Sequence, residues 1–313
     1  MVEAVALEKR YKVGKADLWA LDSINMTLKR GKTLALVGES GCGKSTLARL
    51  FSLLERPTGG KILFEGRDLG KLPRGELSRF RRAVQMIFQD PYSSLNPRMR
   101  VGEIIGEPLD IHKLASGRAR SERIEELLTL VGLPEDAARR YPREFSGGQR
   151  QRISIARALA VEPEVIIADE PLSALDVSVQ AQIITLLKKL QEERGLTYLF
   201  ISHDLRVVEY LADEVAVMYL GELVEEASGA ELFDEPLHPY TRALIASSAK
   251  PDPGEPRGDG GVKGEAPSPL TRPKGCFFHP RCPKAFDTCY HVRPEPLTLA
   301  GGRMVRCHLY SQG

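Results

Sequence analysis

Residues 33–54 constrain the fold more than any other stretch. Thr33-Leu34-Ala35-Leu36-Val37 is a short apolar run that ends on glycine, the pattern of a buried strand. From Lys44 onward, Leu47, Leu50, Phe51 and Leu54 recur at helical spacing, and Arg56-Pro57-Thr58-Gly59-Gly60 stops the helix. Between the two lies Gly38-Glu39-Ser40-Gly41-Cys42-Gly43-Lys44-Ser45, which fits G-x-x-x-x-G-K-[ST]. Its glycines let successive backbone N–H groups turn toward one anion, and the helix N-terminus adds a favourable dipole. Gly38, Ser40, Gly41, Cys42, Gly43, Lys44, Ser45 and Thr46 are therefore a candidate phosphate cradle. In it Lys44 reaches the β- and γ-phosphates, and the Ser45 hydroxyl ligates magnesium. By itself the motif says only that a nucleotide phosphate is bound.

The same alternation continues along the chain. Residues 61–64, 83–88, 165–168, 197–201 and 215–219 read as strands. Residues 177–194 read as a helix with Gly195 as its stop, and 101–159 as mostly helical, broken at Pro134 and Pro142. Strands alternating with helices predict an α/β fold with a largely parallel sheet, helices on its faces and a helical subdomain inserted at about 90–160. Residues 250–274 are rich in proline, glycine and charge and read as a linker. No repeat of fixed period occurs.

Two strand ends carry acid–base chemistry. Asp169 closes an apolar strand, where a magnesium-holding carboxylate belongs, and Glu170 follows at once. Adjacent carboxylates at a strand end point in different directions, so Asp169 can hold the metal while Glu170 acts as general base on water. The plainer alternative is an acidic pair that caps a helix. His203, in Ser202-His203-Asp204, can donate to a γ-phosphate oxygen. A lone histidine is more often structural, and its place after a second strand is what favours a role. Gln89 ends another strand, and its amide can meet magnesium or the attacking water. Lys44, Gln89, Glu170 and His203 are the candidate catalytic residues; Ser45, Gln89 and Asp169 are the candidate magnesium ligands. Phe145-Ser146-Gly147-Gly148-Gln149 opens a helix with Ser146 as N-cap and glycines that expose backbone N–H groups. A Ser-Gly-Gly turn is common in loops; just upstream of the Asp169 strand it becomes a second anion site.

Composition excludes more than it assigns. A net charge of +2 over 313 residues gives no general attraction to nucleic acid. No apolar run reaches the length of a membrane span, and the first residues carry acidic groups and no apolar core like an export signal. The expectation is a chain that stays in the cytoplasm.

On these motifs the chain resembles an ATP-binding-cassette ATPase over roughly residues 1–250. The resemblance implies a P-loop NTPase nucleotide-binding domain at 1–249, with a mostly parallel sheet, an antiparallel β subdomain and the inserted helical subdomain. It implies a head-to-tail dimer around two ATP, in which Ser146, Gly147, Gly148 and Gln149 of one subunit meet the γ-phosphate held by Lys44 of the other. Ser173-Ala174-Leu175-Asp176 matches the loop that links the two sites, and Tyr11 matches the aromatic that stacks on adenine; Trp19 competes for that role. The stretch Val84-Gln85-Met86-Ile87-Phe88-Gln89-Asp90-Pro91-Tyr92-Ser93-Ser94-Leu95-Asn96-Pro97-Arg98-Met99 is similar to the ATPases of bacterial oligopeptide and dipeptide importers, as is His238-Pro239-Tyr240-Thr241-Arg242-Ala243-Leu244. Nickel and glutathione importers share both. The implied partners are two membrane permease subunits docked at residues 90–100, a sibling ATPase and, indirectly, an extracellular substrate-binding protein. The implied place is the cytoplasmic face of the cell membrane. Both half-sites look intact, so the sequence does not forbid a homodimer. A nucleic-acid-associated cassette fits less well, because the gap from Lys44 to Asp169 is too short for the insertions of repair members.

Four of the five cysteines crowd the last residues. Cys276, Cys282, Cys289 and Cys307 lack a C-x-x-C pair, and thiols in a reducing compartment suggest metal before disulfides. Gly275-Cys276-Phe277-Phe278-His279-Pro280-Arg281-Cys282-Pro283 is similar to the C-terminal extension of the peptide importers, some of which carry a 4Fe–4S cluster there. The leading expectation for 275–313 is therefore a small extension folded by a 4Fe–4S cluster. Zinc, with help from His279, His291 or His308, and an unmetallated tail stay open.

Overall fold

The computed structural model describes residues 2–14, 16–248 and 264–311. The expected linker at 250–274 lies in large part outside the described residues. The strands are β1 (Val2–Val13), β2 (Ala16–Leu28), β3 (Thr33–Val37), β4 (Gly59–Phe64), β5 (Arg67–Asp68), β6 (Val84–Ile87), β7 (Val165–Asp169), β8 (Thr197–Ile201), β9 (Glu214–Tyr219), β10 (Glu222–Ser228), β11 (Leu297–Thr298) and β12 (Met304–Val305). β3, β7 and β8 are buried at every position. Strands covered on both faces read as unbroken apolar runs, which is why these were legible. They belong to an eight-stranded sheet of order β11-β12-β10-β9-β3-β8-β7-β6. From β9 to β6 all neighbours are parallel; β10, β12 and β11 add antiparallel strands at one edge. A second sheet, β2-β1-β4-β5, is antiparallel throughout.

Parallel register decides where the site forms. Asp169 lies opposite Ile201, Leu36 opposite Ile201 on the other flank, and Ile87 opposite Ala168. The loops that leave β3, β6, β7 and β8 therefore emerge at one sheet edge, at their carboxyl ends, where open α/β sheets bind ligands. The helical subdomain follows β6. Helices Val101–Ile111, Gly117–Leu130 and Gly147–Leu159 enclose a core that includes Ile105, Leu128 and Ile155. The breaks expected at Pro134 and Pro142 coincide with the short 3-10 turns Glu135–Arg139 and Pro142–Glu144.

The C-terminal residues are built into the cassette. β12 pairs with β10, with Val305 opposite Glu225, and β11 pairs with β12. Phe278 is buried against Tyr219 and Tyr240, with ring centroids 5.3 and 5.4 Å away. Arg272 pairs with Asp22 at 2.7 Å, and Arg303 with the fully buried Glu225 at 3.4 Å.

The expected 4Fe–4S cluster is overturned. Among the described residues no group of three or more His, Cys, Asp or Glu side chains is placed to hold a metal ion, so the zinc alternative goes with it. The physical reason lies in how the thiols pack. Cys276 and Cys282 pack as apolar side chains on the cluster of Tyr219, Tyr240 and Phe278, while Cys307 joins a separate one with Leu237 and Val305. All four are free thiols. Burial pushes Cys276 up to about 12 and Cys307 up to about 11, and it raises Cys282 as well. Ring stacking and arginine–carboxylate pairs shape this segment instead.

Phe278→Ala should therefore destabilise the whole cassette by about 3–4 kcal/mol, the usual cost of emptying a buried phenylalanine site. Urea unfolding followed by circular dichroism reads it. An unchanged midpoint would show that the packing of the tail contributes nothing to the cassette.

Candidate active site

The cradle is a loop with no room to spare. Gly38 and Gly43 adopt φ of 152° and 113°. A Cβ at Gly38 would lie 2.2 Å from the Met218 carbonyl oxygen, and one at Gly43 would lie 2.4 Å from that of Ala20. Ser40 and Gly41 form the exposed crest. Cys42 is buried in the core; desolvation raises its thiol pKa against the pull of Lys44. Its sulfur accepts from the Lys44 ammonium at 3.8 Å. The Lys44 ammonium, also buried, donates to the carbonyls of Gly38 at 2.7 Å and Glu39 at 3.0 Å. Ser45 lies in the first turn of the helix Lys44–Phe51, and its hydroxyl donates to Asp169 Oδ1 at 3.1 Å.

The two carboxylates part as the sequence predicts. Asp169 ends β7 in the interior; desolvation raises its pKa, and the Ser45 hydrogen bond opposes that. Glu170 has a left-handed φ of 45°, and its N–H donates to the Ile201 carbonyl at 3.1 Å. A non-glycine residue in that region costs roughly 1–3 kcal/mol, which the surrounding structure has to supply. The kink swings the Glu170 carboxylate away from Ser45. Gln89 Nε2 donates to Glu170 Oε2 at 3.0 Å, and His203 Nδ1 lies 3.4 Å from the same oxygen. The pair does not cap a helix: the next one, Val177–Arg194, is capped by Asp176. Gln89 thus bonds to Glu170, and the Ser45–Asp169 pair is made without it.

The candidate second anion site is a capped helix start. The Ser146 Oγ accepts from the Gln149 N–H at 3.4 Å, and Gln149 Oε1 accepts from the Ser146 N–H at 3.0 Å, a reciprocal capping box. A Cβ at Gly148 would lie 2.3 Å from Val179 Cγ1, and one at Gly147 would lie 3.4 Å from Leu175 Cδ2. Asp176 Oδ1 accepts from the Val179 N–H at 3.0 Å and the Ser178 hydroxyl at 2.8 Å; these bonds hold its carboxyl below the usual range. The signature turn and the Asp176 loop are thus one packed unit.

Tyr11 and Trp19 separate cleanly. On β1, Tyr11 lies opposite Leu18, while Arg10 lies opposite Trp19, so the two aromatics occupy opposite faces of the hairpin. The Tyr11 hydroxyl donates to Glu55 at 2.5 Å and lies near Thr46 of the cradle. Trp19 is covered by the guanidinium of Arg10 at 4.3 Å and that of Arg272 at 5.7 Å. Two groups at the cradle escaped the sequence reading. The Tyr240 hydroxyl accepts from the Glu39 N–H at 2.9 Å, and Arg281 pairs with the Glu39 carboxylate. No spacing in the chain connects positions 240 and 281 to 39, so no sequence signal could have found them.

A glycine cradle, a carboxylate pair split between a hydroxyl and an amide–imidazole pair, and a second helix N-terminus on an inserted subdomain define an ATP-hydrolysing ATPase of the ATP-binding-cassette class. Comparison with known proteins narrows the class. The ABC transporter family model matches residues 21–173, and the oligopeptide/dipeptide transporter C-terminal region matches residues 224–289. The chain is 53% identical to the oligopeptide transport ATP-binding protein AppF of Bacillus subtilis (strain 168), over 96% of this chain and 92% of that protein. It is 48% identical to the dipeptide transport ATP-binding protein DppF of Escherichia coli (strain K12), over 100% and 95%. A dimeric post-hydrolysis structure of the ATP-binding cassette MJ0796 bound to ADP and Pi superimposes with a TM-score of 0.67 at 35% identity, covering 73% of this chain and 98% of that one. The chain belongs to the ATP-binding subunits of the oligopeptide/dipeptide ABC importers. Among the described residues no helix is long and apolar enough to cross a membrane.

Gly148→Ala should force the signature helix off Val179. We expect ATP turnover to fall at least about tenfold while ATP affinity of the lone chain is retained. Turnover at the parent rate, read by phosphate release, would show that this contact does not position the turn.

Proposed function

We propose that this chain is the energy-coupling ATPase of a peptide importer and works head-to-tail with a second cassette subunit. The observation that carries the reading is the division of the two carboxylates: Asp169 turned to Ser45, Glu170 turned to Gln89 and His203. Lys44 neutralises the β- and γ-phosphates in the cradle. Ser45 Oγ and Asp169 Oδ1, two hard oxygens side by side, suit magnesium, which supplies charge neutralisation at the phosphates when bound. Glu170 takes a proton from water; the water oxygen bonds to the γ-phosphorus, and the bond from that phosphorus to the ADP oxygen breaks. Gln89 and His203 hold the water and the Glu170 carboxylate in line. Ser146, Gly147, Gly148 and Gln149 of the second subunit close on the same γ-phosphate, and Asp176 transmits closure between the sites. Tyr11 supplies the adenine stack beside Thr46.

In this reading residues 1–249 form the nucleotide-binding domain, with its helical subdomain at about 90–160, and 275–313 form an extension reached through 250–274. Two permease subunits dock on residues 90–100. There Tyr92 is 58% exposed, and its ring lies 4.0 Å from the Arg150 guanidinium of the signature helix, a direct link from docking surface to anion site. A sibling ATPase is the favoured mate; a homodimer is compatible with the chain. Substrates reach the permeases from an extracellular binding protein. The names of AppF and DppF favour oligopeptides and dipeptides as cargo.

Glu170→Gln should bind ATP, hold the dimer closed and cut hydrolysis by about 10²- to 10⁴-fold, the range for losing a general base. Size-exclusion chromatography with ATP and a phosphate-release assay read both effects, and undiminished turnover removes Glu170 from its role. Lys44→Ala should weaken ATP binding itself by at least about tenfold. Uptake of labelled dipeptides by cells that lack this gene tests the cargo: full uptake without it argues against peptide import.

A further inference from the structure

Glu39 places a carboxylate inside a loop that has to receive a triphosphate. Unpaired, it would oppose the incoming anion. Arg281 of the C-terminal segment meets it in a two-pronged ion pair: Nη1 to Oε2 at 2.7 Å and Nη2 to Oε1 at 2.8 Å. This is the fork geometry that makes arginine–carboxylate pairs strong and directional. The Arg281 side chain is 5% exposed and that of Glu39 30%, so the pair is partly shielded from water and salt. Arg281 also donates to the Tyr219 hydroxyl at 3.3 Å. Its own position is set by the buried Phe278, whose carbonyl accepts the Arg281 N–H at 3.0 Å in the turn His279–Arg281. Glu39 is thereby held at three points. Its carboxylate is taken by Arg281, its N–H by the Tyr240 hydroxyl and its carbonyl by Lys44.

We infer that Arg281 is a positioning residue for ATP that acts through Glu39: its guanidinium cancels the Glu39 charge that would otherwise oppose the triphosphate. The C-terminal segment is then part of the nucleotide site and not an appendage to it. The inference rests on the reading of residues 38–46 as the phosphate cradle.

The test measures Mg-ATP and AMP affinity and steady-state kinetics on the full chain. Arg281→Gln leaves the Glu39 carboxylate bare, so ATP affinity should fall about tenfold, with AMP affected less because it carries less charge. The loss should appear in KM, with kcat largely kept. Glu39→Gln added to Arg281→Gln removes the repulsion and should bring ATP affinity back to within about threefold of the parent; a purely structural role of Arg281 would not be rescued this way. Parent affinity in Arg281→Gln, or a loss that Glu39→Gln does not repair, overturns the inference. Glu39→Gln alone keeps the test decisive if Arg281→Gln does not fold. It should bind ATP as tightly as the parent or more so, and weaker binding overturns the charge argument. Lys44→Ala serves as the reference. If it binds ATP normally, the cradle reading itself fails; if it loses ATP while the Arg281 series shows no effect, only the role of Arg281 falls.

Discussion

The whole site depends on parallel pairing between strands that are far apart in the chain. β3, β8, β7 and β6 start at residues 33, 197, 165 and 84, yet they run side by side in one direction. Parallel strands all end at the same sheet edge. Asp169 closes β7, and the cradle, Glu170, His203 and Gln89 begin within two residues past one of those ends. A slip of one residue in any pair would exchange the side chains packed on the sheet's two covered faces and move the residue at the strand end, so close packing on both faces holds the register of the site as well as the fold.

Chemistry at that edge is obtained from local geometry that folding alone would not select. Glu170 takes a left-handed backbone, and the consequence is functional: two adjacent carboxylates face different partners. Gly38, Gly43 and Gly148 occupy places where a β-carbon would collide with neighbouring atoms. Tight approach of the backbone is what turns N–H groups toward one point, and it leaves little slack. Reciprocal bonding between Ser146 and Gln149 likewise settles the signature turn before any partner arrives.

The C-terminal segment shows how buried charge replaces a large core. β10 carries Glu222, Glu225 and Glu226, and the first two are buried. Burial pushes the Glu222 carboxyl up, against the pull of Arg306 and Arg293. Arg293 pairs with Glu222, Arg303 with Glu225, and the Leu237 and His238 N–H groups donate to Glu225 at 2.8 Å each. Removing one partner of such a pair leaves a bare buried charge, which costs far more than the pair gains. The segment is therefore tied to the cassette by a set of matched charges, and through Arg281 that set reaches the phosphate loop.

Much of the site was legible in the chain itself, because its motifs are local. The spacing from Gly38 to Ser45, the apolar run before Asp169, the Ser146 cap and the Gly195 stop each depend on residues within a few positions of one another. Fully buried strands also announce themselves as unbroken apolar runs. Other features were invisible for a stated reason. β1 reads poorly because bulges at Ala4/Leu7 and Leu7/Lys9 break its period-two pattern. β10 is disguised by its glutamates, whose burial makes sense only beside arginines some seventy or more residues away. Four crowded cysteines suggested metal, but among the described residues no three His, Cys, Asp or Glu side chains come together to hold one, and Cys276 and Cys282 pack in a different apolar cluster from Cys307. Local order along the chain thus determined which groups are available. Tertiary contact decided which of them share a charge, because electrostatic pairing depends on distance in space and leaves no periodic mark in a sequence.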